Sequence, residues 1–91
     1  KFSLGQNYPN PFNNETVIAY SLPEEANVKL DVINIIGQRV ATLVNQNQSA
    51  GNYQVSWNGK DYNGNDMASG IYFYQIKAGD YSDSRKMILM K

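Results

Sequence analysis

Apolar residues in this chain recur at every second position within short runs, and Gly, Asn, Asp or Pro cuts each run, a pattern suited to strands with one buried face. In Thr16-Val17-Ile18-Ala19-Tyr20-Ser21-Leu22 the larger groups Ile18, Tyr20 and Leu22 share a face. After the turn Pro23-Glu24-Glu25-Ala26-Asn27, Val28, Leu30 and Val32 alternate with Lys29 and Asp31. Gly37, in Ile36-Gly37-Gln38-Arg39, is placed for a positive φ in a tight hairpin that leads into a third strand from Arg39 to Val44.

The polar run Asn45-Gln46-Asn47-Gln48-Ser49-Ala50-Gly51 reads as a break, after which Tyr53, Val55 and Trp57 alternate with polar neighbours as a fourth strand. Residues 58–66 are dense in Gly, Asn and Asp and read as one or two turns. From Gly70 to Ala78 both faces are apolar or aromatic, which predicts a central strand covered on two sides. A last strand is predicted over about Asp83 to Met90, with Met87 and Leu89 facing one way and Ile88 and Met90 the other. That makes six strands, and a seventh is expected from Phe2 to Leu4 or from the splitting of a longer one. No segment has a helical period, so the predicted fold is all-β: an antiparallel immunoglobulin- or fibronectin-like sandwich of six or seven strands.

Length limits this to one domain over residues 1–91, because a chain of 91 residues has no room for two cores. Residues 1–14 are expected to lead into it as an extended segment, since Pro9 and Pro11 favour extended or polyproline backbone. Tyr8 and Phe12 are expected to pack over one end of the sandwich. The opening Lys1-Phe2-Ser3-Leu4-Gly5-Gln6-Asn7 is not a secretory signal and lacks an initiator Met. It reads as the middle of a longer protein from which this module was cut, with any export signal upstream. No run approaches the roughly 18 to 20 apolar residues of a membrane-spanning helix.

Composition narrows the chemistry. The chain has no Cys and no His, which excludes a thiolate zinc site, thiol redox chemistry, a Ser-His-Asp triad and a His-ligated metal. Glu24 and Glu25 are adjacent in a turn and point to different sides, so they do not converge as an acid-base pair, and no hydroxyl has an evident base. Asp61-Tyr62-Asn63-Gly64-Asn65 copies the start of a calcium loop, but Tyr72 stands where the bidentate Glu belongs. A turn in which Asp61 or Asn63 accepts backbone N–H groups is the better account. The expectation is no enzyme and no cofactor. Eight Lys and Arg balance eight Asp and Glu, which argues against a nucleic-acid partner.

Four separated segments carry a resemblance: Leu4-Gly5-Gln6-Asn7-Tyr8-Pro9-Asn10-Pro11-Phe12-Asn13, Asn34-Ile35-Ile36-Gly37-Gln38-Arg39-Val40, Gly70-Ile71-Tyr72-Phe73-Tyr74, and Lys86-Met87-Ile88-Leu89-Met90-Lys91. In this order they resemble the C-terminal sorting domain (type A) of the type IX secretion system. A second resemblance covers only the middle. Trp57-Asn58-Gly59-Lys60-Asp61, Gly64 and Ser69-Gly70-Ile71-Tyr72 look like the immunoglobulin-like domain of the flagellar hook-capping protein, which supports the fold more than a function.

The first resemblance implies a non-catalytic address. A cargo protein, exported to the periplasm by its own signal peptide, would be directed by this domain through the outer-membrane translocon to the cell surface or medium. A surface protease would commonly remove the domain. Lys86 and Lys91 match the family's terminal basic positions and Arg85 adds a third charge, so these three are the expected recognition residues. Physically, a terminal strand with unpaired backbone groups and a cationic stripe could be taken up by strand addition. Asn7, Tyr8, Pro9, Asn10, Pro11, Phe12, Gly37, Gly70 and Tyr72 belong to the family motif and are expected to be structural. Gly70 is expected to allow close backbone approach, and Tyr72 and Tyr74 to sit in the core or its rim.

Two rival readings remain open on sequence. One is an accessory carbohydrate-binding sandwich using Tyr53, Trp57, Tyr62 or Tyr81, which would need several of these rings exposed in one plane. The alternation instead puts Tyr53, Val55 and Trp57 on a core face. The other is a passive structural immunoglobulin-like module. Exposed sheet edges would also permit dimers, so the sequence leaves the oligomeric state open.

Overall fold

The alternation resolves into seven strands in the computed structural model, which describes all 91 residues. They are β1 (Ser3–Leu4), β2 (Thr16–Leu22), β3 (Ala26–Asn34), β4 (Arg39–Gln48), β5 (Gly51–Trp57), β6 (Gly70–Ala78) and β7 (Tyr81–Leu89). Two sheets form, one in the order β1-β2-β5 and one in the order β4-β3-β6-β7, and every strand pair within them is antiparallel. The inward positions are those the period of two selected: Ile18, Tyr20 and Leu22 from β2, Val28, Leu30 and Val32 from β3, and Met87 and Leu89 from β7. Between the sheets Trp57 meets Phe12 and Tyr72 edge to face, at ring separations of 5.7 and 5.4 Å. That geometry suits the ring quadrupoles better than a flat stack.

The β3–β4 hairpin depends on Asn34 as much as on Gly37. The Asn34 side-chain oxygen accepts the N–H of Ile36 and of Gln38, at 3.1 and 2.9 Å, while Gly37 takes φ +87°. This side-chain-anchored turn leaves Ile35 and Ile36 at its tip, 69% and 73% exposed.

Four expectations are corrected. β4 does not stop at Val44 but runs to Gln48, with Asn45, Gln46, Asn47 and Gln48 paired to Lys29, Val28, Asn27 and Ala26. An edge strand need not alternate to be held, because its partner's backbone suffices, and Asn47 also bonds Asn27 through their carboxamides. β6 is central but covered on one face only: Tyr72, Tyr74, Ile76 and Ala78 are buried, whereas Ile71 and Phe73 face outward. Gly70 meets no crowding, since a Cβ there would find nothing within 4 Å, and its φ of +152° is the feature that favours glycine. The lead-in segment is regular strand only at β1. It folds back as a loop pinned by isolated bridges at Tyr8 to Val17 and Phe12 to Leu89, because its Asn side chains find backbone partners.

Candidate functional site

The N-terminal motif is organised around a buried Asn. Asn7 is 2% exposed, and its Nδ2 donates to the Thr16 hydroxyl at 2.9 Å and to the Pro9 carbonyl at 3.2 Å. Its backbone N–H donates to the Tyr74 hydroxyl, which in turn donates to the Gly5 carbonyl at 2.6 Å. Thr16 also donates to Pro9 O, so no buried side-chain nitrogen or oxygen lacks a partner. Burial raises the Tyr74 phenol above its ordinary pKa, against a smaller lowering by the Asn7 N–H. Phe12 plugs the core at 2% exposure, as expected, but Tyr8 does not join it and is 80% exposed. The Asn7 network and the bridge to Val17 turn the backbone at Tyr8 so that its ring points to solvent.

This pinned segment lies along the outer edge of β7, and the structure therefore brings the two ends of the motif set together. Phe2 stacks on Tyr81 at 5.0 Å, and Arg85 Nε donates to the Leu4 carbonyl at 2.8 Å. Gln6 Nε2 donates to Lys86 O, and Ile88 N–H donates to the Asn10 side chain. Phe12 N–H donates to Ile88 O and accepts in return, through its own carbonyl, the N–H of Met90. The expected free edge is corrected over its C-terminal part: β7 is the last strand of its sheet, yet the Lys86 carbonyl, both backbone groups of Ile88 and the Met90 N–H just beyond the strand are already engaged.

The three terminal cations occupy different surroundings. Arg85 turns toward the N-terminal segment, while Lys86 lies opposite Phe73 on the outer face and forms no ion pair. Lys91 is tethered, its N–H donating to Ser69 Oγ at 2.9 Å and its Nζ 3.5 Å from Asp66. The Asp66 carboxyl is held below its ordinary pKa, first by the hydrogen bond from Lys60 at 2.7 Å, then by the charges of Lys60 and Lys91. Gly37 stands apart from the paired ends, at the tip of the β3–β4 hairpin, and Tyr72 is a core residue whose hydroxyl donates back to Ala68 O at 2.8 Å.

The sequence reading missed Gln6, Ser69 and Asp66 as partners of the terminal strand. Only Asn10, already in the motif, was among the residues singled out, and its contact with Ile88 left no mark in the local sequence. Of the rings offered as a sugar platform, Trp57 is buried with its Nε1 donating to Lys60 O, and Tyr53 stacks on Tyr20 at 5.4 Å. Asp61 caps its own turn by accepting the N–H groups of Asn63 and Asn65, both within the would-be calcium loop. The Asn65 backbone bond is the main cause of its lowered carboxyl pKa.

A family model described as the FlgD Ig-like domain matches residues 9–82. The chain belongs to this family. The match omits residues 1–8 and 83–91, which include much of the two segments that lie side by side. Among solved structures the chain is similar to dimeric latent PorU from Porphyromonas gingivalis, with TM-score 0.77 and 16% identity over 99% of this chain and 9% of that one. It is also similar to PorZ of the same organism, with TM-score 0.66 and 18% identity over 99% of this chain and 11% of PorZ. PorZ is described as an essential bacterial surface component of the type IX secretion system. A looser likeness, TM-score 0.54 at 12% identity, covers 99% of this chain and 30% of the alkylpurine DNA glycosylase AlkC from Pseudomonas fluorescens. At these identities the likenesses establish the fold. The chain spans about a tenth of the length of PorU and PorZ, and no curated protein matches it.

Proposed function

We propose that this FlgD Ig-like domain is a non-catalytic sorting signal that directs a covalently linked cargo through the outer membrane by the type IX secretion system. The observation that carries the reading is the pairing of residues 4–12 with residues 85–90 along one edge, outside most of the part the FlgD family model describes. A passive sandwich needs only its core. Here a sequence motif at each end is spent on fixing the other, and the product is a composite edge bearing Lys86, with Lys91 just past the strand tied to Ser69 and Asp66. The likeness to PorU and PorZ over 99% of the chain, with PorZ a surface component of that system, supports the same reading. The partners would be the translocon and the processing protease at the cell surface, and the domain would pass the periplasm and end at the surface or in the medium. Arg85, Lys86 and Lys91 are the recognition residues of this proposal.

The test is export of a fluorescent reporter carrying a signal peptide and this domain at its C-terminus, in a bacterium with the type IX system. Deleting 85–91 is the wrong variant, because it removes the core residues Met87 and Leu89 and would unfold the domain. Lys86→Ala with Lys91→Ala changes exposed or tethered surface groups and leaves the core intact. Surface delivery of the intact fusion with periplasmic retention of the double variant is expected. Retention of the intact, folded fusion overturns the proposal.

A further inference from the structure

The outer face of the β4-β3-β6-β7 sheet is organised in rows that the strand registers make explicit. One row reads Arg39, Ile33, Phe73 and Lys86 across the four strands, two apolar side chains bracketed by two cations. The next row toward the hairpin tip pairs Ile71 with Ile88, and beyond it stand Ile35 and Ile36, the most exposed aliphatic residues of the chain. Between the tip and Ser69–Tyr72 lies a groove of about 310 Å³, bordered by Ile35, Ile36 and Ile71, to which Gly70 adds no side chain. A contiguous exposed apolar surface of this kind on a small domain marks an interaction site.

Charge identifies the occupant. Lys29 and Lys77 form the row further along the same face, and among these rows the single acid is Asp31, already 3.9 Å from both Lys29 and Arg39. The chain as a whole has zero formal charge, so this face carries a local positive excess that Glu24, Glu25 and Asp80 offset in turns elsewhere. In a symmetric dimer built on this face the positive excess of one copy would meet that of the other. We infer that this face docks a partner protein presenting an apolar side chain ringed by Asp or Glu, the apolar group seated between Ile36 and Ile71 and the acids meeting Arg39 and Lys86. The inference rests on the sorting reading above and names the receptor surface that the exported domain would engage.

The same reporter export assay tests it, with Ile35→Ser plus Ile36→Ser as the main variant. Both residues sit in an exposed turn anchored by Asn34, so the fold is retained, and circular dichroism with Trp57 fluorescence checks this. Phe73→Thr and Arg39→Glu are added, and Val17→Ser on the outer face of the other sheet is the control. The expected result is a fall in export of about tenfold or more for the Ile pair, as for an interface hot spot, a fall for Phe73→Thr and Arg39→Glu, and no change for Val17→Ser. Wild-type export by the Ile pair, with retention of Lys86→Ala plus Lys91→Ala, overturns the docking inference and leaves the sorting reading standing. Retention of the intact fusion overturns both. Analytical ultracentrifugation of the purified domain, and its co-sedimentation with phosphatidylethanolamine–phosphatidylglycerol vesicles, cover the other occupants. Dimerisation or vesicle binding that the Ile pair abolishes would reassign the face to a second copy or to lipid and overturn the inference.

Discussion

The two outer edges of the four-stranded sheet meet the same hazard in different ways. At the β4 edge the chain relies on composition and irregularity: Asn45, Gln46 and Asn47 are exposed and polar, and two register shifts interrupt the pairing with β3. Such bulges and polar edge residues discourage further strands from adding. At the β7 edge the chain instead lays its own N-terminal segment over the outward groups, with side chains from Gln6 and Asn10 standing in for a neighbouring strand. The first device is local and each residue is dispensable. The second couples residues far apart in sequence, so its parts should fail together.

The largest test of that contrast is Phe12→Ala. Phe12 is the point where the lead-in segment enters the core against Trp57, and removing a buried ring of this kind costs about 3 to 5 kcal/mol. Urea denaturation followed by Trp57 fluorescence should show that loss, together with faster amide exchange at Ile88 and Met90, whose partners lie on Asn10 and Phe12. Asn45→Ala with Gln46→Ala on the other edge should cost about 0.5 kcal/mol of stability or less. Comparable losses at the two edges would break the comparison.

Asn7→Ala comes next. It strips the buried donor shared by Thr16 and Pro9 and removes the Gln6 acceptor, at a cost of about 1 to 3 kcal/mol. Double-mutant cycles with Tyr74→Phe should show coupling, because the Tyr74 hydroxyl bonds the Asn7 backbone while the side chain fixes the same loop. Additive losses would mean that the segment is held piece by piece.

How much of this was legible beforehand follows the physics of each element. The inward faces of β2, β3 and β7 were readable because burial on one side of a pleat writes a period of two into the chain. The tail of β4 was not, since an edge strand exposed on its flank can be held by backbone pairing with any side chains. Phe73 and Ile71 misled because an apolar residue facing a partner looks the same, in sequence, as one facing a core. The motif residues were recognisable as a set. Their contacts were not, because Gln6 on Lys86 and Arg85 on Leu4 join groups some 80 positions apart and leave no local period.

Alkaline pH sharpens the same comparison at smaller amplitude. Tyr74, Tyr72 and Tyr20 have phenols raised above their ordinary pKa, chiefly by burial. A raised acid binds its proton more tightly when folded, so the stability it adds is complete below its unfolded pKa of about 10 and is lost as pH rises through that range. The urea midpoint should fall above about pH 10, and Tyr74→Phe should remove its part of the slope. An unchanged slope in that variant would place the sensitivity elsewhere than at the Asn7 network.

The smallest effect is expected at Asp66, where the terminal residue is tied. Its lowered carboxyl pKa gives the opposite sign: the stabilisation is present above the ordinary carboxylate value and disappears as pH falls through the lowered one. The ion pairs with Lys60 and Lys91 are exposed, and solvent and salt screen such pairs, so Asp66→Ala should leave the urea midpoint where it was. What should change is local. Heteronuclear NMR relaxation ought to show Lys91 more mobile, with its N–H still offered to Ser69, and β7 unaffected up to Leu89. If the positive charge of Lys91 is what a receptor reads, export of the reporter should persist in this variant, because the charge remains and only its tether is gone. A loss of export at unchanged stability would show that the fixed position of Lys91, beside the composite edge that residues 4–12 build, is itself the recognised feature.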